Sequence, residues 1–95
     1  MASDKTKLSK TEALLKAAGY TVRYERGHFR AGYCVVHERK VIVVNRFFDA
    51  GARVTKLREL IAGLKISYDD LSEEHHELFA DILKTNPVIT ETESE

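Results

Sequence analysis

The sequence predicts one α+β domain: an N-terminal helix, a three-stranded antiparallel meander and two C-terminal helices. Three observations carry that expectation. Apolar residues recur at three-and-four spacing in the flanking thirds, the middle third is dense in β-branched and aromatic residues, and the connections between those middle runs are short. Ninety-five residues are enough for a single modest core. The domain is expected over residues 1–86, with 87–95 as an acidic flexible tail.

The first element is read from LSKTEALLKAAGY. Ser9 and Glu12 have the spacing of a capping box, in which two side chains satisfy backbone N–H groups at a helix start. Leu14, Leu15 and Ala18 supply an apolar face, and Gly19 supplies the left-handed residue that ends the helix. Three strand-like runs follow, TVRYER, GYCVVHE and VIVVNR. GHFRA separates the first two, and a tight charged turn at Arg39 and Lys40 separates the second and third.

The third run is apolar at four successive positions, Val41 to Val44, so strand alternation sends two of them to each sheet face. Helices of so small a domain cover one face readily, so the second face is the expected seat of a homodimer. The alternatives are that the first and last helices take opposite faces, or that Tyr24, Tyr33 and arginine stems roof it. Of the next pair, Phe47-Phe48, one ring is expected to plug the core and the other to mark an interface.

A second helix is read from DAGARVTKLRELIAGLK: Val54, Leu57, Leu60, Ile61 and Leu64 form one stripe, Asp49 caps the start and Gly63 lies near the end. The last helix starts near Ser72. Glu73, Glu74 and Glu77 in its early turns suit the helix dipole. Its apolar face is Leu78, Phe79, Ile82 and Leu83, and Asn86-Pro87 stops it.

Apolar residues make up 43% of the chain and charged residues 32%, ordinary for a globular protein. No apolar run approaches the roughly 20 residues of a membrane span, and MASDKTKLSK lacks the apolar region of a secretory signal. One cysteine, Cys34, permits no internal disulfide, so a cytoplasmic location is expected. The zero net charge hides a split: residues 1–65 carry 14 Lys+Arg against 6 Asp+Glu, a net +8, and residues 66–95 carry 1 against 9, a net −8. Either the acidic third folds back on the basic body or the basic face meets an acidic partner.

EEHHELFA, at 73–80, invites comparison with H-E-x-x-H zinc sites, where two histidines one helical turn apart grip the metal. The position four after His76 is Ala80, so the second ligand is missing. His75 and His76 stand about 100° apart around a helix, and His75 borders the core side. Cys34 and His37, three apart on a strand, fall on opposite faces. Cys34 is expected to be a small buried hydrophobe. A thiol nucleophile there would need His28 or His75 from elsewhere in the chain. No catalytic residue, metal or cofactor is expected.

The stretch VIVVNRFFDAGARVTKLRELIA resembles the core of the IrrE/ImmA-type metallopeptidase family, over about residues 32–64. In that family a β-hairpin and an asparagine lead into a helix reading roughly R-F-T-L-A-H-E-L-G-H. Glu59 stands at the glutamate position, while Arg58 and Ala62 stand where the zinc-binding histidines would be. The resemblance implies a related scaffold without zinc or peptidase activity. The element order across residues 9–64 also resembles the double-stranded-RNA-binding domain. It implies RNA contacts from His28 and Arg30 in the first loop and from Arg53, Lys56 and Arg58 on the helix, though the family's G-x-S-K-K-x-A-K pattern is missing. Arg23 and Arg26, with Arg30, Arg39, Arg46, Tyr24 and Tyr33, can also form a basic, aromatic sheet surface of the kind that stacks on nucleic acid.

The expected function is a small, cytoplasmic, non-enzymatic binding or scaffold protein, homodimeric through the sheet. A nucleic-acid-binding module using the basic residues of 23–58 and an inactive metallopeptidase-like domain are the alternatives.

Overall fold

The computed structural model describes residues 3–26 and 32–85. Helix α1 spans Asp4–Ala17. Its N-cap is Ser3, whose Oγ accepts the Thr6 N–H at 3.2 Å, and Asp4 occupies the first turn. The capping box expected at Ser9 and Glu12 is therefore corrected, since both residues lie inside the helix. Their spacing is equally compatible with a helix interior, and Ser3-Asp4 offers the same acceptor chemistry earlier in the chain. The other end is as expected. Gly19 has φ +93°, its N–H donates to Lys16 O, and the Tyr20 N–H reaches back to Leu15 O at 2.9 Å, which is a Schellman stop.

Strands β1 (Thr21–Glu25), β2 (Tyr33–Val36) and β3 (Val41–Asn45) form one sheet in the order β1-β3-β2. β2 and β3 are an antiparallel hairpin, with Cys34 opposite Val43 and Val36 opposite Val41. β1 instead runs parallel to β3, with Val22 beside Ile42 and Tyr24 beside Val44. The sheet is thus mixed, and the expected antiparallel meander is corrected. Residues 26–40 separate the parallel partners, long enough for the crossover that parallel pairing requires. The consecutive strands β1 and β2 are not neighbours. β3, the most apolar run, takes the centre, where it hydrogen-bonds on both edges.

The turn closing the hairpin, His37–Lys40, includes Lys40 at φ +53°. The Lys40 carbonyl accepts the Thr21 N–H at 2.9 Å and its ammonium lies 5.6 Å from the centre of the Tyr20 ring. The turn is thereby tied to the start of β1.

Helix α2 spans Ala50–Gly63, capped by Asp49, whose Oδ1 accepts the Ala52 N–H at 2.8 Å. Val54, Leu57, Leu60 and Ile61 of its expected stripe are buried, and Leu64 packs at its edge. Two 3₁₀ turns, Tyr68–Asp70 and Glu73–His75, lead into α3, His76–Thr85. Phe79 and Ile82 are buried, with Leu78 and Leu83 packed beside them. The stop expected at Asn86-Pro87 and the acidic tail lie outside the described residues. Among the described residues no helix is long and apolar enough to cross a membrane.

All three helices close on the same side of the sheet. Ile42 and Val44 are wholly buried among Leu14, Leu15, Leu57, Ile61, Phe79 and Ile82. Their neighbours in register, Val22, Tyr24, Val35 and Tyr33, share that face and pack against the same cluster.

Candidate interaction surface

Alternation places Cys34, Val36, Val41 and Val43 on the opposite face, and none of them joins the core cluster. Val36 is 37% exposed, Cys34 is exposed, and the two central valines are half-buried. The expected burial of Cys34 is thus corrected. It occupies an outward position of an edge strand, and the helices that bury β2's other positions lie on the far side. Thr21, Arg23 and Glu25 of β1 complete this open face, with Arg23 Nη2 and Glu25 Oε2 paired at 2.7 Å. The result is an apolar strip over β3 and β2 flanked by one exposed ion pair.

At the carboxyl end of β3 stands Phe47, 67% exposed, with the guanidinium carbons of Arg26 and Arg46 at 5.6 and 5.7 Å from its ring centre. Both lie within cation–π distance. Phe48 turns inward, packs on the core, and closes over Gly32. The division of labour expected for this pair is present in the packing: one ring in the core, one in solvent.

Of the basic residues expected to contact nucleic acid, Arg53, Lys56 and Arg58 are engaged within the domain. Arg53 Nε donates to Phe48 O at 2.9 Å, its Nη2 donates to Arg46 O at 2.8 Å, and its guanidinium carbon lies 4.1 Å from the Tyr24 ring centre. Arg58 Nη2 donates to Asp81 Oδ2 at 2.8 Å and to Thr85 Oγ1 at 2.7 Å. Lys56 pairs with Glu59 at 3.7 Å. Arg23 stands on the open face and Arg26 beside Phe47, whereas His28 and Arg30 lie outside the described residues. Tyr24 and Tyr33 turn to the helix-covered face, so the expected arginine–tyrosine surface is corrected: among the described strand residues the open face carries Arg23 but neither tyrosine. The Arg58–Asp81 pair is one point at which the acidic third folds back on the basic body.

Tyr24 was missed as an organising residue. Its hydroxyl donates to the Glu12 carboxylate of α1 while Arg53 of α2 covers its ring. Burial, then the Glu12 hydrogen bond and the Glu12 charge, hold its proton well above the usual tyrosine range, partly opposed by Arg53. Its alternation with Val22 signalled an inward side chain, but nothing local names the partners.

His75 and His76 stand where the second 3₁₀ turn meets α3. His75 is largely covered, as its place before Leu78 and Phe79 implies, and its Nε2 lies 3.7 Å from Glu74 Oε2. His76 Nε2 lies 2.9 Å from Tyr68 O and 3.1 Å from Leu71 O. Carbonyl oxygens only accept, so Nε2 carries the proton and the ring ties α3 back to the preceding 3₁₀ turn. Tyr68 packs edge-on against both His76 and Phe79. Among the described residues no three His, Cys, Asp or Glu side chains are grouped to hold a metal ion. Of the positions carrying the metallopeptidase resemblance, Glu59 is exposed, Ala62 is buried and Arg58 is engaged with Asp81.

Comparison with protein-family models, with curated proteins and with solved structures found no match.

Proposed function

We propose that this protein is a small, non-enzymatic binding module that self-associates through the open face of its sheet. One observation carries the reading: Cys34, Val36, Val41 and Val43 form a contiguous apolar strip away from the helix-covered core. Apolar surface left in water favours association with another apolar surface. A second copy suits the strip because its flank is self-complementary. Arg23 and Glu25 lie two residues apart on one strand, and a two-fold axis can set the arginine of one copy against the glutamate of the other. Three strands about 4.8 Å apart and about five residues long present a footprint on the order of 200 Å². A stable complex buries about 800 Å² per partner, so association through this face is weak unless Phe47 and its arginines extend it.

Sedimentation over a concentration series reaching about a millimolar tests the reading, because a dissociation constant in that range corresponds to only about 4 kcal/mol. The expected result is reversible, concentration-dependent dimerisation that Val43→Lys abolishes while leaving the fold intact. A protein that stays monomeric throughout, or a Val43→Lys variant that associates like the parent, overturns it. The nucleic-acid alternative has less support, since Arg53 and Arg58 are already engaged within the domain. Binding to duplex RNA that weakens steeply with salt would restore it.

A further inference from the structure

A second surface runs along the free edge of β1 and does not depend on the open face. Among the described residues β1 pairs with β3 alone. Two hydrogen bonds fix the phase of that pairing: the Thr21 N–H donates to Lys40 O at 2.9 Å, and Glu25 O accepts the Arg46 N–H at 3.0 Å. In a parallel ladder alternate residues turn their backbone groups toward the same neighbour. Thr21, Arg23 and Glu25 therefore face β3, and Val22 and Tyr24 turn their N–H and C=O groups outward.

Beside this edge lies a groove of about 370 Å³, walled by Glu12 and Lys16 of α1 and by Tyr20, Val22 and Tyr24. A strand edge alongside a helix-walled groove can accept an extended segment: the backbone supplies the affinity and the wall reads alternate side chains.

We propose that the β1 edge binds an extended acidic peptide segment of a partner protein by strand addition. The sign of the charge comes from the groove. Lys16 has no ion-pair partner among the described residues, the Lys40 ammonium stands over Tyr20, and Arg53 stands over Tyr24. The single acid in the wall, Glu12, keeps its negative charge while accepting the Tyr24 hydroxyl, and the three cations Lys16, Lys40 and Arg53 outnumber it. An added residue opposite Val22 or Tyr24 projects its side chain into the groove, within the field of Lys16. The residue between them projects beside Arg23 on the opposite face. The groove position favours a carboxylate over an ammonium group, whereas the position beside Arg23 faces the Arg23–Glu25 pair and has little preference of sign.

The test uses the full-length, isotope-labelled protein and two capped synthetic peptides, Thr-Glu-Thr-Glu-Thr-Glu and Thr-Lys-Thr-Lys-Thr-Lys. The acidic peptide is expected to shift the Val22 and Tyr24 amide signals saturably, to slow their exchange with solvent, and to bind about tenfold or more tighter than the lysine peptide. Lys16→Glu is expected to weaken the acidic peptide by roughly three- to tenfold, the scale of one or two solvent-exposed charge contacts. Val22→Pro removes an outward N–H that the β1–β3 ladder does not use, and is expected to abolish binding with the fold retained. If that proline disrupts folding, the amide map and Lys16→Glu still decide. Equal affinity for the two peptides, shifts confined to Cys34, Val36 and Val43, or no saturable shift up to about a millimolar overturns the proposal. Concentration-dependent shifts at Val22 and Tyr24 without peptide would also overturn it, by making a second copy the occupant.

Discussion

Adjacent residues of β3 belong to different environments. Ile42 and Val44 have no exposed surface, while Val41 and Val43, of the same chemical type, remain half-buried. The helix-covered face receives apolar stripes from α1, α2 and α3 together, and the open face receives none of them. The contrast shows what an unbroken apolar run in a strand reports. It marks a central strand, paired along both edges, and does not require that both faces be covered.

The largest effects should separate the two faces. Ile42→Ala leaves a cavity at the middle of the core and should cost about 2–5 kcal/mol, as should Leu60→Ala on α2. On a domain with roughly 5–10 kcal/mol in total, either change should leave a large unfolded fraction on mild heating. Val41→Ala on the open face should cost under about 1 kcal/mol. Chemical denaturation of the three variants measures the difference, and equal costs for Ile42 and Val41 would erase the distinction between the faces.

Gly32→Ala comes next. Gly32 has φ +87°, and a Cβ added there would lie 2.4 Å from Phe48 Cζ. Left-handed strain and overpacking together should cost roughly 2–4 kcal/mol. In a Phe48→Ala background the same substitution should cost only about 1–2 kcal/mol, the strain alone. A double-mutant cycle without that coupling would mean that Phe48 does not close the covered face at this point.

A smaller effect tests the start of α1. Ser3→Ala should lose about 0.5–2 kcal/mol, the usual worth of an N-cap acceptor. Ser9→Ala, at an exposed position inside the helix, should stay within about 0.5 kcal/mol. The reverse order would move the helix start to Ser9.

The smallest expected effect is one of pH. Because folding raises the Tyr24 pKa, the folded protein keeps a proton that the unfolded chain releases above the ordinary tyrosine value of about 10. This contribution to stability is complete below that pH and is lost as pH rises further. Tyr24→Phe should abolish that part of the alkaline decline. It should also leave the tyrosinate absorbance that develops near pH 10 unchanged, since Tyr24 titrates above that range. A loss of absorbance there would show that Tyr24 is not held by Glu12 on the covered side.

Several features were legible because their causes are local. The Val54, Leu57, Leu60 and Ile61 stripe, the Asp49 cap and the left-handed Gly19 all follow from neighbours within a few residues. Where two local solutions competed, as at Ser3 and Ser9, spacing alone did not choose between them. Cys34 was misread because strand alternation yields two faces without saying which one the helices take. The partners of Arg53 and Arg58 were not legible: Phe48 O, Arg46 O, Asp81 and Thr85 all lie at least five residues from the arginine they bind.

By itself the sequence determined the presence of three helices, the strand-forming runs, the Gly19 stop, the turn at Arg39 and Lys40, and the two-faced apolar character of β3, because periodicity and capping act between residues a few positions apart. The tertiary structure alone decided that β3 sits between β1 and β2, that β1 runs parallel to it, and that every helix packs on one face. Those choices rest on contacts between residues 12 or more apart, where several pairings satisfy the same local pattern and only the joint packing of Leu14, Ile42, Leu57 and Phe79 selects one. Among the described residues, the open face and the unpaired edge of β1 are consequences of that selection.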